Sequence, residues 1–190
     1  MNLAMNFCRN VNVLPWALGE EDGSATLYVV EGNTVLNSLR PQANAKSATP
    51  TRVAVRPLDM VLGELRVERV DFVKLDVEGA ELAVLRGATR LLGTLPRPVI
   101  LCEVQEETSL AWGYSSRQIV EQLRARGFVW FRLNDQGDLF PVAEERERFG
   151  RNLVAVPTES LQAVAPLCAS ARCGGNQISA DEFATFRGAQ

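Results

Sequence analysis

The sequence predicts an α/β domain with a mainly parallel, doubly wound sheet and a terminal antiparallel hairpin. Three observations carry this. From Val70 onward, strand-like apolar runs alternate with segments of helical period, the order that βαβ units produce. The runs "VDFVKLDV" and "RPVILCEV" are almost continuously apolar, as strands covered on both faces are. The last two strand-like runs, "FVWFRL" and "NLVAVP", are terminal and close together, which suits a hairpin added to the sheet edge.

Taken in order, Val11–Ala17 and Ala25–Val30 read as strands, parted by the acidic turn Gly19-Glu20-Glu21-Asp22-Gly23 as by a turn or a hairpin connection. Residues 31–50 are polar and rich in turn formers, and a loop of that length is commonly functional or disordered. "TRVAVRPLD" is a strand with alternating Val53 and Val55, and "LDMVLGEL" a short helix with Asp59 in its first turn. "EGAELAVLRGATRLL" sets Leu82, Leu85, Ala88 and Leu92 on one helical face. "SSRQIVEQLRARGF" is a helix with Ser115 or Ser116 as N-cap, Gly127 past its end, and an apolar face of Ile119, Val120 and Leu123. Residues 1–157 form the domain, and 158–190, rich in Ala, Ser, Gly and Cys, read as a loosely held tail.

Composition narrows the chemistry. A net charge of −3 offers no basic surface for nucleic acid. No apolar run approaches the roughly 20 residues of a membrane span, and "MNLAMNFCRNVNV" lacks the pattern of a secretory signal, so the cytoplasm is the expected location. The sequence has no histidine, which excludes His-dependent triads and His-ligated metals. Cys168 and Cys173 are spaced like half a metal clip, but a structural zinc needs four Cys or His ligands, and no zinc site is expected. Cys102, inside an apolar run, reads as a small buried hydrophobe. Acid–base work therefore falls to Asp, Glu, Lys, Tyr or Cys.

In parallel sheets ligands bind outside the carboxyl ends of the strands. Asp76 and Glu78 end one strand and Glu103 the next. Carboxylates so placed can hold a divalent cation, act as a base, or accept hydrogen bonds from a cofactor. Equally, acids that begin a helix complement its dipole and cap its free N–H groups, a purely structural role open to Glu78 and Glu81. Lys74 shares a strand face with Asp76, where it can pair with an acid or reach a substrate. Gly79 allows a tight turn or a close approach. Trp112 and Tyr114, in the loop expected after Glu103, can contact a substrate or fold over the core. Neither a Walker loop nor Gly-x-Gly-x-x-Gly after a strand is present.

The stretch "VDFVKLDVEGAELAVLRGA" followed by "RPVILCEV" resembles the FkbM-type S-adenosylmethionine-dependent methyltransferases. The motif Asp-x-Glu-Gly-x-Glu, then Leu-x-Gly-Ala, is matched by Asp76, Glu78, Gly79, Glu81, Leu85, Gly87 and Ala88. The likeness runs over roughly residues 5–157. It implies a class I methyltransferase-like (Rossmann-like) sheet and methyl transfer to a hydroxyl of a small molecule or glycan. It also implies Asp76 and Lys74 as catalytic residues, and Glu78, Glu103, Trp112 and Tyr114 as acceptor-binding residues. S-adenosylmethionine would meet Asp76 and Gly79. A divalent ion bridging Asp76 and Glu103 is compatible with oxygen ligands, but no metal is counted in the site.

One part of the resemblance has no counterpart. The family's glycine-rich cofactor loop, Asp-x-Gly-Ala-Asn-x-Gly, does not occur in these 190 residues, nor do its first two strands. The implied expectation is a shortened form of a longer frame, with an exposed flank on "VDFVKLDV" open to self-association. The alternative is a non-catalytic methyltransferase-like module acting through protein contacts. Either way the 190-residue chain is expected to bind S-adenosylmethionine weakly or not at all in calorimetry. A micromolar dissociation constant would contradict that expectation.

Overall fold

The computed structural model describes residues 8–33, 36–41, 47–142 and 149–168. It is a mixed α/β structure with two sheets. The smaller holds β1 (Ala17–Gly19), β2 (Gly23–Val29) and β3 (Thr49–Pro57) in the order β1-β3-β2. The expected hairpin is corrected here. The acidic turn does join β1 to β2, yet β3 lies between them, parallel to β1 and antiparallel to β2. β3 is nine residues long and offers both edges, while the expected strand Val11–Ala17 is displaced to Ala17–Gly19. Pro15 has no N–H to give a ladder, which limits pairing ahead of it.

The larger sheet has the order β4-β5-β8-β6-β7. Its strands are β4 (Phe72–Leu75), β5 (Val99–Gln105), β6 (Phe128–Leu133), β7 (Leu139–Pro141) and β8 (Gly150–Pro157). Only β4 and β5 run parallel; the other three pairings are antiparallel. The sheet is thus mixed rather than mainly parallel. β6 and β8 do form the expected antiparallel pair, with Trp130 opposite Ala155, but β8 sits inside the sheet between β5 and β6. Leu153, Val154, Ala155 and Val156 are all buried, so β8 needs cover on both faces. The three-residue β7, ending in Pro141, takes the edge instead, where a missing N–H costs nothing. The charged segment "EERERF" between β7 and β8 lies mostly outside the described residues.

The helices are α1 (Leu58–Glu64), α2 (Glu81–Arg86), α3 (Thr89–Gly93), α4 (Glu106–Ala111), α5 (Ser116–Arg124) and α6 (Leu161–Val164). The expected helical face of Leu82, Leu85, Ala88 and Leu92 is buried, but the helix is broken into α2 and α3 at Gly87-Ala88. The free N–H groups of α3 are met from outside it: the Asp59 carboxylate accepts from Arg90 N at 2.6 Å and Leu91 N at 3.0 Å. Ser115 makes no side-chain cap for α5; the Glu106 carboxylate accepts from Ser116 N at 2.9 Å and from its hydroxyl.

One face of the large sheet, with Leu75, Ile100, Cys102, Trp130 and Ala155, packs in one cluster with Leu82 and Leu85 of α2 and Ile119 and Leu123 of α5. Burial pushes the Cys102 thiol well up, in keeping with a core hydrophobe. On the other face Phe131, Val154 and Val156 cluster with Leu161 and Cys168. Thr158–Cys168, part of the expected loose tail, therefore packs onto the sheet; 169–190, with Cys173, lie outside the described residues. β4 is the free edge, and Phe72 on it is 55% exposed. No helix among the described residues is long and apolar enough to cross a membrane.

Gly87, at the end of α2, packs tightly against β1 and β3 of the smaller sheet. A Cβ there would lie 2.1 Å from the Gly19 carbonyl oxygen and 3.2 Å from the Pro57 Cα, both backbone atoms that cannot swing away. Gly87→Ala should therefore lower unfolding free energy by about 1–3 kcal/mol. Gly93→Ala, where nothing lies within 4 Å of the added atom, should change it little. Urea unfolding of the two variants checks this.

Candidate functional site

The parallel register of β4 and β5 builds the site. Lys74 lies opposite Leu101 and Leu75 opposite Cys102. One residue further, the same register brings Asp76 beside Glu103. Strand alternation puts Lys74 and Asp76 on one face, and the Lys74 ammonium forms an ion pair with Asp76 Oδ2. Of the two roles open to Lys74 in the sequence, pairing is the one seen. Carboxylate oxygens of Asp76, Glu78 and Glu103 all lie within 4.8 Å of one another, a spacing that could hold a cation. Asp76 and Glu78 also line a cleft of about 420 Å³, together with Trp16, Leu18, Ser38 and Leu39.

Crowded acids in a half-buried place resist ionisation. Burial, then the charges of Asp76, Glu78 and Glu81, raise Glu103 to about 7, with Lys74 opposing only in part. Glu103 Oε2 is buried with no hydrogen-bond partner among the described residues. Glu78 is raised as well, by burial first and then by Asp76 and Glu81.

The turn after β4 is unusual in backbone. Glu78 has φ +52° and Gly79 φ +98°, so two successive residues occupy the left-handed region. The Glu78 carbonyl accepts from Trp112 Nε1 and from Ser38 Oγ, each at 3.1 Å. A Cβ on Gly79 would lie 2.2 Å from Trp112 Cδ1, so the close approach that Gly79 permits is that of the indole ring. The Tyr114 hydroxyl donates to the Gly79 carbonyl at 2.6 Å, and burial followed by Glu81 raises its pKa. Trp112 and Tyr114 follow the end of α4, a helix the sequence reading treated as loop, and their polar atoms meet the turn. Arg40 stacks over Trp112 at 4.8 Å and donates to the Ala111 carbonyl at 2.9 Å.

All the expected acids thus meet in one place. Ser38, Trp16 and Glu81 were missed as members of the site. Trp16 is open to a stacking role from its residue type, and Ser38 lies in the 31–50 loop whose length suggests function, but nothing local ties either to the acids, which are far away in sequence. Glu81 carried a signal, as the last acid of Asp-x-Glu-Gly-x-Glu, but spacing does not reveal that it is buried.

The raised Glu103 fixes the sign of a pH effect. Between its ordinary 4.5 and about 7 the carboxyl is protonated when folded and ionised when unfolded. Folding stability is therefore present in full at low pH and falls as pH rises through that window. Glu103→Gln, neutral at every pH, should raise Tm at pH 8 relative to the parent and change it little at pH 5. Thermal melts across that range check this.

A family model described as Methyltransferase FkbM domain matches residues 3–130. The antimetabolite synthetase AmbE of Pseudomonas aeruginosa is 33% identical over 109 residues, which are 57% of this chain and 5% of that protein. This chain therefore matches only a small part of that relative's length. No solved structure matches the chain. With two-thirds of its length inside the family match and the motif acids gathered at one strand end, this chain belongs to the FkbM methyltransferase family.

Proposed function

We propose that the chain serves an S-adenosylmethionine-dependent methyl transfer to a hydroxyl oxygen of a small molecule or glycan. The observation that carries this is the cluster of Asp76, Glu78 and Glu103 at the ends of β4 and β5, one member of which is raised to about 7. The match to part of an antimetabolite synthetase supports a small-molecule acceptor.

The residues present fit the charged end of the methyl donor. Its sulfonium and ammonium groups are cations, and the cluster of three acids, two of which line a cleft of about 420 Å³, complements them. Asp76, on the cleft wall, would hold that end. Bound there, S-adenosylmethionine supplies an electrophilic methyl group open to a lone pair of the acceptor oxygen. The chain's task is to align that oxygen and take its proton. Glu103 suits the second part: a carboxyl raised to about 7, with Oε2 without a hydrogen-bond partner among the described residues, can receive a proton near neutral pH and release it afterwards. Glu78, at the same cleft, would hold the acceptor hydroxyl, and Lys74 would keep Asp76 in place through its ion pair.

The test is transfer of labelled methyl from S-adenosylmethionine to hydroxyl compounds by the protein. Glu103→Gln should lower turnover by about 10²–10⁴-fold. Parent turnover should rise as pH passes about 7, because the base acts ionised. Asp76→Ala should also abolish transfer, and unchanged turnover in that variant would remove Asp76 from the site.

A further inference from the structure

Glu81 is 1% exposed, an acid enclosed at the first position of α2. Its Oε1 accepts from two N–H groups of the turn ahead of it, Val77 at 3.0 Å and Gly79 at 3.3 Å. Two N–H groups converging on one carboxylate oxygen form a nest, here filled by the chain's own side chain. Its Oε2 lies 3.4 Å from the Tyr114 hydroxyl oxygen. That hydroxyl has one proton, and its 2.6 Å contact to the Gly79 carbonyl takes it.

A buried carboxylate is costly unless its oxygens are used. Helix-dipole compensation alone needs no burial, and exposed acids do it as well. What burial adds at this position is direction. Glu81 binds the N–H groups on either side of Glu78, while Trp112 and Ser38 bind the Glu78 carbonyl. Glu78 is thereby held at φ +52°, a conformation that a non-glycine residue keeps only when its surroundings enforce it.

We infer that Glu81 is a positioning residue: it fixes the left-handed turn through its hydrogen bonds to the N–H groups, with Tyr114 and Trp112 binding the turn's carbonyls, and so aims Asp76 and Glu78 at Glu103. Its bearing on methyl transfer rests on the function proposed above; the geometry does not.

Two indole N–H groups report separately on turn and core. Trp112 Nε1 donates to the Glu78 carbonyl, and Trp130 Nε1 donates to the Val120 carbonyl at 3.1 Å inside the core. In ¹H–¹⁵N spectra of the labelled chain, Glu81→Ala should displace the Trp112 indole resonance and leave that of Trp130 in place. Glu81→Gln keeps an acceptor oxygen without the charge, and it should restore the Trp112 position. An unmoved Trp112 resonance in the alanine variant would overturn the inference. So would a glutamine variant displaced as far as alanine, because charge and not hydrogen bonding would then be at work. Should Glu81→Ala fail to fold, Tyr114→Phe decides: Trp112 displaced with Trp130 unmoved supports the inference, and Trp112 unmoved overturns it. No methyl donor is used, so failure of the proposed function would leave these outcomes standing.

Discussion

The turn from β4 into α2 exists because one buried carboxylate, Glu81, is wrapped by the N–H groups of Val77 and Gly79. Without such an acceptor those N–H groups would be left unmet beneath Trp112, at roughly 1–3 kcal/mol apiece. The left-handed backbone at Glu78 and Gly79 follows from this closure. So does the placement of the two acids that the strand end presents. A four-residue edge strand would otherwise be a weak support for a site. Here the support comes from side chains of α2, from Trp112 and Tyr114 beyond α4, and from Ser38 in a distant loop.

Electrostatics at the site is a contest between one cation and several acids. Lys74 spends itself on Asp76, and both groups are substantially exposed, so their attraction is damped by water. Glu103 is deeper, and burial is the largest influence on it, with three neighbouring acids adding to the effect. Desolvation therefore wins at Glu103. The outcome is a carboxyl poised near neutrality, the condition under which a group can both take and release a proton.

Much of this was legible in the sequence, and what was not has definite physical causes. The acids at the ends of β4 and β5 follow from apolar runs that stop at Asp76 and Glu103, because strand ends in α/β sheets are where polar groups meet. The core faces of α2 and α5 follow from helical period. The antiparallel direction of β8 against β6 followed, but its place inside the sheet did not, because that place is set by the burial it requires. α4 escaped notice because its six residues show no apolar stripe and only Ser109 is buried. Trp112 and Tyr114 were correctly placed near the strand ends. Their partners, the carbonyls of Glu78 and Gly79, are backbone atoms that no side-chain pattern announces.

The central claim is that the ends of β4 and β5 press three carboxylates together, Asp76 exposed and Glu78 and Glu103 half-buried. A ¹³C-detected carboxyl titration of the intact chain addresses it most directly. The account predicts a Glu103 midpoint of about 7. A Glu103 midpoint at the ordinary 4.5 would contradict it, since the carboxyl would then be solvated and apart from its neighbours.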